Sequence, residues 1–163
     1  MSFTIREAIG SDYLKVNDLV KEVHQLHVSH RPDVFLAVDC PLEEVYFHEL
    51  IECNETTLFV VEDTNHELIA YSIVKLITSH SLSILIPSKI AFIDDFCVKS
   101  SHQKQGIGRG LFEHVQNHAK AEGATTLQLA VWEFNQDAIT FYEALGMITR
   151  NRRMELNLSD YVN

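Results

Sequence analysis

The chain has 163 residues, of which 46% are hydrophobic and 22% are charged, and its formal net charge at pH 7 is −10. This length and composition are typical of one globular domain, and they exclude a collagen-like, low-complexity or largely disordered chain. The acidic balance argues against a general affinity for nucleic acid or anionic lipid, since both bind basic surfaces. We therefore expect a single domain over residues 1–163 with no nucleic-acid partner.

The cysteines and the hydrophobic runs indicate in which cell compartment the chain is found. Cys40, Cys53 and Cys97 have no CxxC spacing, so neither a disulfide framework nor a zinc knuckle is expected. The first residues are too polar for a signal peptide, and no apolar run approaches the roughly 20 residues that span a bilayer. These features predict a cytoplasmic protein without a membrane partner.

Hydrophobic periodicity and turn residues predict alternating strands and helices. In chain order these are strand Phe3–Ala8, a helix capped by Ser11 that ends before Arg31, helix Leu42–Glu52, strands Thr57–Val61, Glu67–Ser79 and Lys89–Val98, a helix that begins at Ile107 and ends near Gly123, strand Thr125–Trp132, a helix capped by Asn135 that runs to Leu145, and strand Arg150–Leu158. Gly123 and Gly146 follow two of the helices, where glycine commonly ends a helix. This order predicts an α/β fold with a mixed sheet and helices on both faces.

A glycine-rich segment lies between the predicted strand Lys89–Val98 and the helix that follows it. Residues 103–110 read Gln-Lys-Gln-Gly-Ile-Gly-Arg-Gly. A helix N-terminus presents unpaired N–H groups and the positive end of the helix dipole, and glycines let an anion approach them. Neither the Rossmann spacing G-x-G-x-x-G nor the Walker sequence G-K-[ST] is present. The segment therefore indicates an anion site; the alternative is that the glycines only let the helix begin close to the sheet.

The same loop resembles a known family. Gln103-x-x-Gly106-x-Gly108 is similar to the [RQ]-x-x-G-x-[GA] loop with which the GNAT family of N-acetyltransferases binds acetyl-CoA. Ile93–Val98 resembles the fourth strand of that family, and Asn135–Met147 resembles its N-x-x-A-x-x-F-Y-x-x-x-G-[FM] segment. The resemblance implies the GNAT fold over nearly the whole chain, with a mixed, mostly antiparallel sheet whose central strands splay apart.

The resemblance also implies acetyl-CoA as the cosubstrate. The pantetheine arm would lie in the gap between the splayed strands, hydrogen-bonded to the backbone like an added strand. Main-chain amides at the start of the following helix would hold the pyrophosphate. Asn135 would contact the pantetheine arm, and a role as N-cap alone is the alternative. The implied cofactor-binding residues are Phe96, Cys97, Val98, Gln103, Lys104, Gln105, Gly106, Ile107, Gly108, Arg109, Gly110, Asn135 and Tyr142.

Three residues are candidates for catalysis under this resemblance. Tyr142 matches the general acid of the family, which protonates the departing CoA sulfur; the alternative is a core aromatic. Asp94 and Asp95 are candidates for deprotonating the amine, because carboxylates in an apolar strand are costly to bury without a partner or a task. Strand alternation predicts that they lie on opposite faces, and polar residues of a β-bulge without a chemical role are the alternative. A backbone N–H near Cys97 or Val98 is expected to stabilise the oxyanion.

These assignments predict an acetyl-CoA-dependent N-acetyltransferase that acts directly on a primary amine of a small molecule or a peptide. The alternative is a catalytically idle acyl-CoA-binding module that serves as a sensor or an interaction partner. The acceptor cleft is expected beside His27, His30 and Arg31, and specificity is expected from residues 26–42 and 79–89. A homodimer is a further expectation, since dimers are common in the family.

Histidine spacing raises the question of a metal site. His24, His27 and His30 recur at steps of three, and His114 and His118 are four residues apart. Neither group has further ligands at a convincing spacing, and the H-E-x-x-H pattern is absent. We therefore expect no metal.

Overall fold

The computed structural model describes residues 2–79 and 84–158. The chain forms two compact units, Met1–Ala130 and Val131–Asn163, and each is described by itself. One domain over the whole chain stays a prediction. The first unit contains β1 Phe3–Glu7, α1 Tyr13–His30, α2 Glu44–Glu52, β2 Thr56–Asp63, β3 Leu68–Ser79, β4 Ser88–Val98, α3 Ile107–Ala121 and β5 Thr126–Leu129. The second unit contains α4 Gln136–Ala144.

The strands of the first unit form one mixed sheet in the order β1–β2–β3–β4–β5. β1 to β4 pair antiparallel with their neighbours in sequence, whereas β5 lies parallel to β4. A parallel pair requires a crossover connection, and α3 supplies it between β4 and β5. The predicted α/β class and the mixed, mostly antiparallel sheet are therefore confirmed.

One face of the sheet, here called the α1–α2 face, carries a large hydrophobic core. Leu58, Tyr71 and Cys97 of the strands pack there with Leu19 of α1 and Phe47 of α2, and all five side chains are buried. Burial of one large apolar side chain contributes about 1.5–3 kcal/mol. This core holds both helices on the sheet and fixes the strand register, because a one-residue slip would expose it.

The opposite face of the sheet is covered by α3. Phe59 alternates with Leu58 and points to this face, where the rings of His114 and His118 meet it edge-on at 4.8 and 5.1 Å. The buried side chains of α3 recur at helical spacing: Ile107, Leu111, Phe112, Val115 and Ala119. Helices on both faces are therefore confirmed, and the two histidines of α3 pack against the sheet.

The predicted final strand is absent from the structure. Residues 147–158 form neither a helix nor a strand, and apolar side chains such as Met154 and Leu156 are exposed. The alternation of apolar and polar residues in this segment is typical of a strand, but a strand also needs a partner for its backbone hydrogen bonds. The predicted strand Arg150–Leu158 is therefore wrong.

Candidate functional site

A β-bulge interrupts β4 at Asp94. Across the ladder with β3, Ile73 pairs with Asp95 and Val74 pairs with Ile93. Asp94 is therefore an extra residue with no counterpart on β3. A bulge of this kind breaks the regular alternation of side chains along the strand.

The bulge brings both aspartates to the α1–α2 face. Tyr71 Oη donates a hydrogen bond to Asp95 Oδ2 at 2.6 Å, and Lys75 Nζ forms an ion pair with Asp94 Oδ2 at 2.7 Å. Tyr71 and Lys75 are four residues apart on β3, so their side chains share a face, and Tyr71 belongs to the core of the α1–α2 face. The prediction that the aspartates lie on opposite faces is therefore wrong.

Asp95 is the more enclosed of the two acids. Besides the Tyr71 hydroxyl, its carboxylate accepts the backbone N–H of Phe96 at 2.9 Å. Burial raises the pKa of Asp95 above its ordinary value, although both hydrogen bonds oppose this shift by stabilising the charged form. Burial likewise raises the pKa of the Tyr71 hydroxyl well above its ordinary value. Asp95 is thus a carboxylate fixed by two donors in a desolvated position.

Asp94 is more accessible and is held by a cation. Its side chain is 36% exposed, and the side chain of its partner Lys75 is 34% exposed. The hydrogen bond with Asp94 raises the pKa of Lys75 above its ordinary value, and Tyr46 of α2 interacts with the same ammonium group. A series of polar contacts therefore runs from α2 through Lys75 to the acid at the bulge.

Tyr46 also lines an open depression of about 430 Å³. The other lining residues are Pro41, Glu43, Val45 and Glu49, which lie in α2 and just before it. Two carboxylates and a phenol make this surface attractive to a cationic group. Of the lining residues, Tyr46 also interacts with the Lys75 ammonium group.

β4 extends beyond its pairing with β5. The parallel ladder covers Ile90–Ile93 of β4 and ends at Leu129, which is the last residue of β5. β4 continues to Val98, so residues 94–98 run past the last pair with β5. An extended ligand can add to such a strand through backbone hydrogen bonds. The pairing of β4 with β5 thus ends before β4 does, as the splay implied by the family resemblance requires.

Side chains already contact the backbone that the sequence assigns to the pantetheine arm. The Phe96 N–H donates to Asp95, and the Val98 carbonyl accepts a hydrogen bond from Gln103 Nε2 at 3.1 Å. The Cys97 thiol is buried, with its sulfur 3.7 Å from a backbone carbonyl oxygen of α1. Burial raises the pKa of Cys97, so this thiol stays protonated and packs as a small apolar side chain.

The segment before α3 has the backbone geometry of an anion site. Lys104 and Gly106 adopt the left-handed conformation, with φ of 59° and 84°. Gly106 is the N-cap of α3, and its Cβ position has no neighbouring atom within 4 Å, so glycine is favoured there by φ and not by space. The N–H groups of residues 107–109 belong to the first turn and have no acceptor within the helix. These amides and the positive end of the helix dipole favour an anion at this position.

Gly110 has a different role from the glycines before it. Its N–H donates to the Gly106 carbonyl at 3.0 Å within α3. A Cβ at Gly110 would lie 3.0 Å from Cζ of Phe3, so the missing side chain lets α3 pack closely on β1. Gly110 is therefore a packing residue whose amide is engaged inside the helix.

The second unit holds Asn135 and Tyr142 on one short helix. Asn135 is the N-cap of α4, and its Oδ1 accepts the Ala138 N–H at 3.2 Å, so the capping role is present. The Tyr142 ring lies 5.2 Å from that of Phe141, and its carbonyl accepts the Met147 N–H at 3.1 Å. Contact of Asn135 or Tyr142 with a cofactor stays a prediction.

The residues assigned to the acceptor cleft lie at the C-terminal end of α1. The His27 ring stacks on Phe35 with centroids 4.9 Å apart, and burial together with neighbouring histidines lowers the pKa of His27. His30 Nδ1 contacts a backbone carbonyl one turn earlier at 2.9 Å, and Arg31 forms an ion pair with Asp33 at 2.8 Å. These contacts shape the turn after α1, and recognition of an acceptor there stays a prediction.

Two residues of the site were missed by sequence reasoning. Tyr71 and Lys75 lie in a strand that reads as an ordinary buried strand, and neither belongs to a motif. The available signal is their spacing, since residues four apart on a strand share a face. Only the pairing of β3 with β4 connects them to the aspartates.

Some features are absent from the described part of the chain. Within residues 2–79 and 84–158, no three His, Cys, Asp or Glu side chains are arranged to hold a metal ion. In the same ranges, no helix has the length and the apolar character that a membrane span requires. Residues 80–83, in one of the two segments expected to set specificity, lie outside the described residues.

The chain is similar in sequence to acetyltransferases. The model of the acetyltransferase (GNAT) family matches residues 20–147. Over 56 residues the chain is 39% identical to the ribosomal protein bS18-alanine N-acetyltransferase of Escherichia coli K12, which covers 34% of this chain and 38% of that enzyme. Over 55 residues it is 36% identical to the thialysine N-epsilon-acetyltransferase of Bos taurus, which covers 34% of this chain and 32% of that enzyme. The matches thus span less than two fifths of these relatives' own lengths.

Solved structures are similar to this chain over almost its whole length. A mutant of the BH1408 protein from Bacillus halodurans is 34% identical, with a TM-score of 0.93, and the match covers 95% of this chain and 99% of that chain. The span of the family model includes the bulge of β4, the loop before α3 and the helix α4. With sequence and fold in agreement over this span, the chain belongs to the acetyltransferase (GNAT) family.

Proposed function

We propose that this chain transfers an acetyl group from acetyl-CoA directly to a primary amine of a small molecule or a peptide. The observation that carries the proposal is the course of β4 after its last pair with β5. This one strand offers an acid at its bulge, then an extended backbone over residues 95–98, then a short turn into the N-terminus of α3. These positions suit, in order, an amine, a pantetheine arm and a pyrophosphate.

Acetyl-CoA fits the first unit as a cosubstrate. Its pyrophosphate suits the amides of residues 105–109, beside the positive charge of Lys104. Its pantetheine arm carries amide groups and suits the backbone of residues 96–98 as an added strand. Binding there would exchange the hydrogen bonds that Asp95 and Gln103 make to this backbone.

The reaction divides into proton transfers and one acyl transfer. The amine loses a proton to Asp94 through water, and its nitrogen attacks the thioester carbonyl carbon. A backbone N–H at Cys97 or Val98 stabilises the oxyanion that forms. The carbon–sulfur bond then breaks, and Tyr142 donates a proton to the departing sulfur. The products are the N-acetylated amine and CoA, with no acyl-enzyme.

Of the two aspartates, Asp94 is the better candidate for the base. Asp95 already accepts hydrogen bonds from the Tyr71 hydroxyl and the Phe96 N–H, which fix it in an enclosed position. Asp94 is 36% exposed, so water and an amine can reach its carboxylate. Asp95 serves to hold the bulge in shape.

A positively charged acceptor fits the charge around this site. The chain carries a net charge of −10, and Glu43 and Glu49 line the depression that Tyr46 connects to the Lys75–Asp94 pair. The two curated relatives are named for the acetylation of an alanine of ribosomal protein bS18 and of thialysine, both amines. We therefore propose a primary amine that binds as an ammonium ion, on a small molecule or a peptide.

We further propose that the chain works in the cytoplasm. Cys40 and Cys53 are exposed free thiols, and Cys97 is a buried one. Free thiols on the surface are typical of a reducing compartment, where disulfides are rare. Separation of cell compartments, followed by detection of the chain, tests this location.

Release of CoA thiol from acetyl-CoA in the presence of amines and peptides tests the proposed activity. We expect release that depends on the amine, with an acetylated product in the mass spectrum. CoA should also raise the melting temperature by binding the folded state, and Gly108→Val should abolish this shift without unfolding the chain. CoA binding without transfer to any acceptor would contradict the enzyme and favour an acyl-CoA-binding module.

A further inference from the structure

We propose that Lys75 is a positioning residue, which holds the Asp94 carboxylate in place and oriented for uptake of the amine proton. The inference rests on the proposed role of Asp94 as the base. It comes from the pairing of β3 with β4 and not from any motif, since Lys75 lies in none. It extends the site from β4 to the neighbouring strand.

Strand register and the bulge together create the contact. Lys75 pairs with Phe92 across the ladder, and the extra residue at the bulge brings Asp94 to the same face. The Lys75 Nζ and Asp94 Oδ2 atoms are 2.7 Å apart. Both side chains are about one third exposed, so the pair is reachable by a substrate and only partly screened by water.

Lys75 is held from a second direction by α2. Tyr46 interacts with the Lys75 ammonium group, in addition to Asp94. These contacts, with the Asp94 hydrogen bond as the largest cause, raise the pKa of Lys75 above its ordinary value. Lys75 therefore remains charged at neutral pH and presents a fixed positive charge to the Asp94 carboxylate.

The titratable groups around Asp94 come from three elements. β3 contributes Lys75 and Tyr71, β4 contributes Asp95, and α2 contributes Tyr46. After burial, which is the largest cause, the Asp94 charge also raises the pKa of Asp95, because a second negative charge nearby disfavours ionisation. The positive charge of Lys75 offsets the repulsion between Asp94 and Asp95. The bulge can therefore hold both acids while Asp94 works as a base.

Lys75→Met tests this role through the dependence of kcat/KM on pH. We expect the acidic limb of the profile to move to higher pH by roughly half to one unit, because the base loses its positive neighbour. On that limb kcat/KM should fall about three- to tenfold, whereas the plateau at higher pH should change little. Lys75→Arg should restore the wild-type profile, because the guanidinium group keeps the charge.

Lys21→Met is the matched control. The Lys21 side chain is 39% exposed, lies on α1 and forms an ion pair with Asp18 at 3.3 Å. The control thus removes a paired lysine of similar exposure and leaves the bulge intact. We expect it to leave the pH profile in place.

A spectroscopic measurement separates the role of Lys75 from the assay of activity. NMR of the Asp94 side-chain carboxyl carbon, in the protein without substrate, follows the titration directly. Its midpoint should move to higher pH in Lys75→Met and stay in place in Lys21→Met. This readout needs no acceptor, so it tests Lys75 independently of the proposed function.

The outcomes distinguish the inference from the proposed function. An unchanged profile and midpoint in Lys75→Met, with Asp94→Asn inactive, would overturn the inference and leave the proposed base standing. Full activity of Asp94→Asn would overturn the base and the inference together. An equal shift in Lys21→Met would also overturn the inference, because the effect would then be one of general charge.

Discussion

The hydrogen bond from Tyr71 to Asp95 gives a prediction with a definite size. Tyr71 is 0% exposed, and its Oη lies 2.6 Å from Asp95 Oδ2. Tyr71→Phe removes the hydroxyl and keeps the ring in the core. A hydrogen bond to a charged group contributes roughly 1.5–3 kcal/mol, so the free energy of unfolding at neutral pH should fall by that amount. For a chain of this length, the melting temperature should fall by roughly 4–9 °C.

The loss should depend on pH, because the hydroxyl donates to the ionised carboxylate. Burial raises the folded-state pKa of Asp95 above its unfolded value, so ionisation of Asp95 lowers stability as pH rises through this range. The hydrogen bond from Tyr71 opposes this effect, and its removal costs most where Asp95 is ionised. The difference in unfolding free energy between wild type and Tyr71→Phe should therefore shrink as pH falls from about 7 to about 4.

Urea unfolding at both pH values measures this difference. Tyr13→Phe is the matched control, because the Tyr13 hydroxyl donates to the Leu42 carbonyl at 3.0 Å, which is a neutral acceptor. The control should lose about 0.5–1.5 kcal/mol by the same amount at both pH values. A loss in Tyr71→Phe that does not vary with pH, or that stays below about 0.5 kcal/mol, would refute the charged hydrogen bond.

Three further substitutions test other parts of the molecule. Arg6→Met removes the two hydrogen bonds, of 2.7 and 3.1 Å, that the Arg6 guanidinium donates to the Asp12 carboxylate. Burial alone would raise the pKa of Asp12, but these bonds hold it below its ordinary value. Urea unfolding should show a loss of about 2–4 kcal/mol at neutral pH, which shrinks below about pH 4 as Asp12 becomes protonated. Gly110→Ala puts a methyl group 3.0 Å from the Phe3 ring, so a net loss of up to about 2 kcal/mol is expected despite better helix propensity, and Phe3→Leu should recover it. Tyr142→Phe should lower kcat at least about tenfold while CoA still raises the melting temperature, and full activity would remove its role as the acid.

The features that depend on residues close together in the sequence were predictable. The apolar positions from Ile107 to Ala119 predicted α3, and Gly123 adopts the left-handed conformation expected after a helix, with φ of 77°. Asn135 caps α4, as its position before the helix indicated. In each case the interaction joins residues within one or two helical turns, so the local sequence contains the information.

The features that depend on pairing between distant segments were not predictable. Alternation along one strand put Asp94 and Asp95 on opposite faces, with a β-bulge as the alternative, and only the ladder with β3 shows that the bulge is present and unites them. The pattern over Arg150–Leu158 is that of a strand, but the pattern carries no information about a partner. Lys75 and Tyr71 escaped notice for the same reason, since their importance lies in what the neighbouring strand places beside them.

Because of the bulge, Asp94 can be deleted from β4 without shifting the register of the strand. Ile93 pairs with Val74 and Asp95 pairs with Ile73. The two residues that flank Asp94 therefore already pair with consecutive residues of β3. A one-residue deletion inside a strand normally turns every following side chain to the wrong face. Deletion of Asp94 would instead join two correctly phased halves. We expect the shortened chain to fold, with CoA still raising its melting temperature, and to lack the proposed base. Cosubstrate binding is then measured apart from catalysis without replacing any side chain.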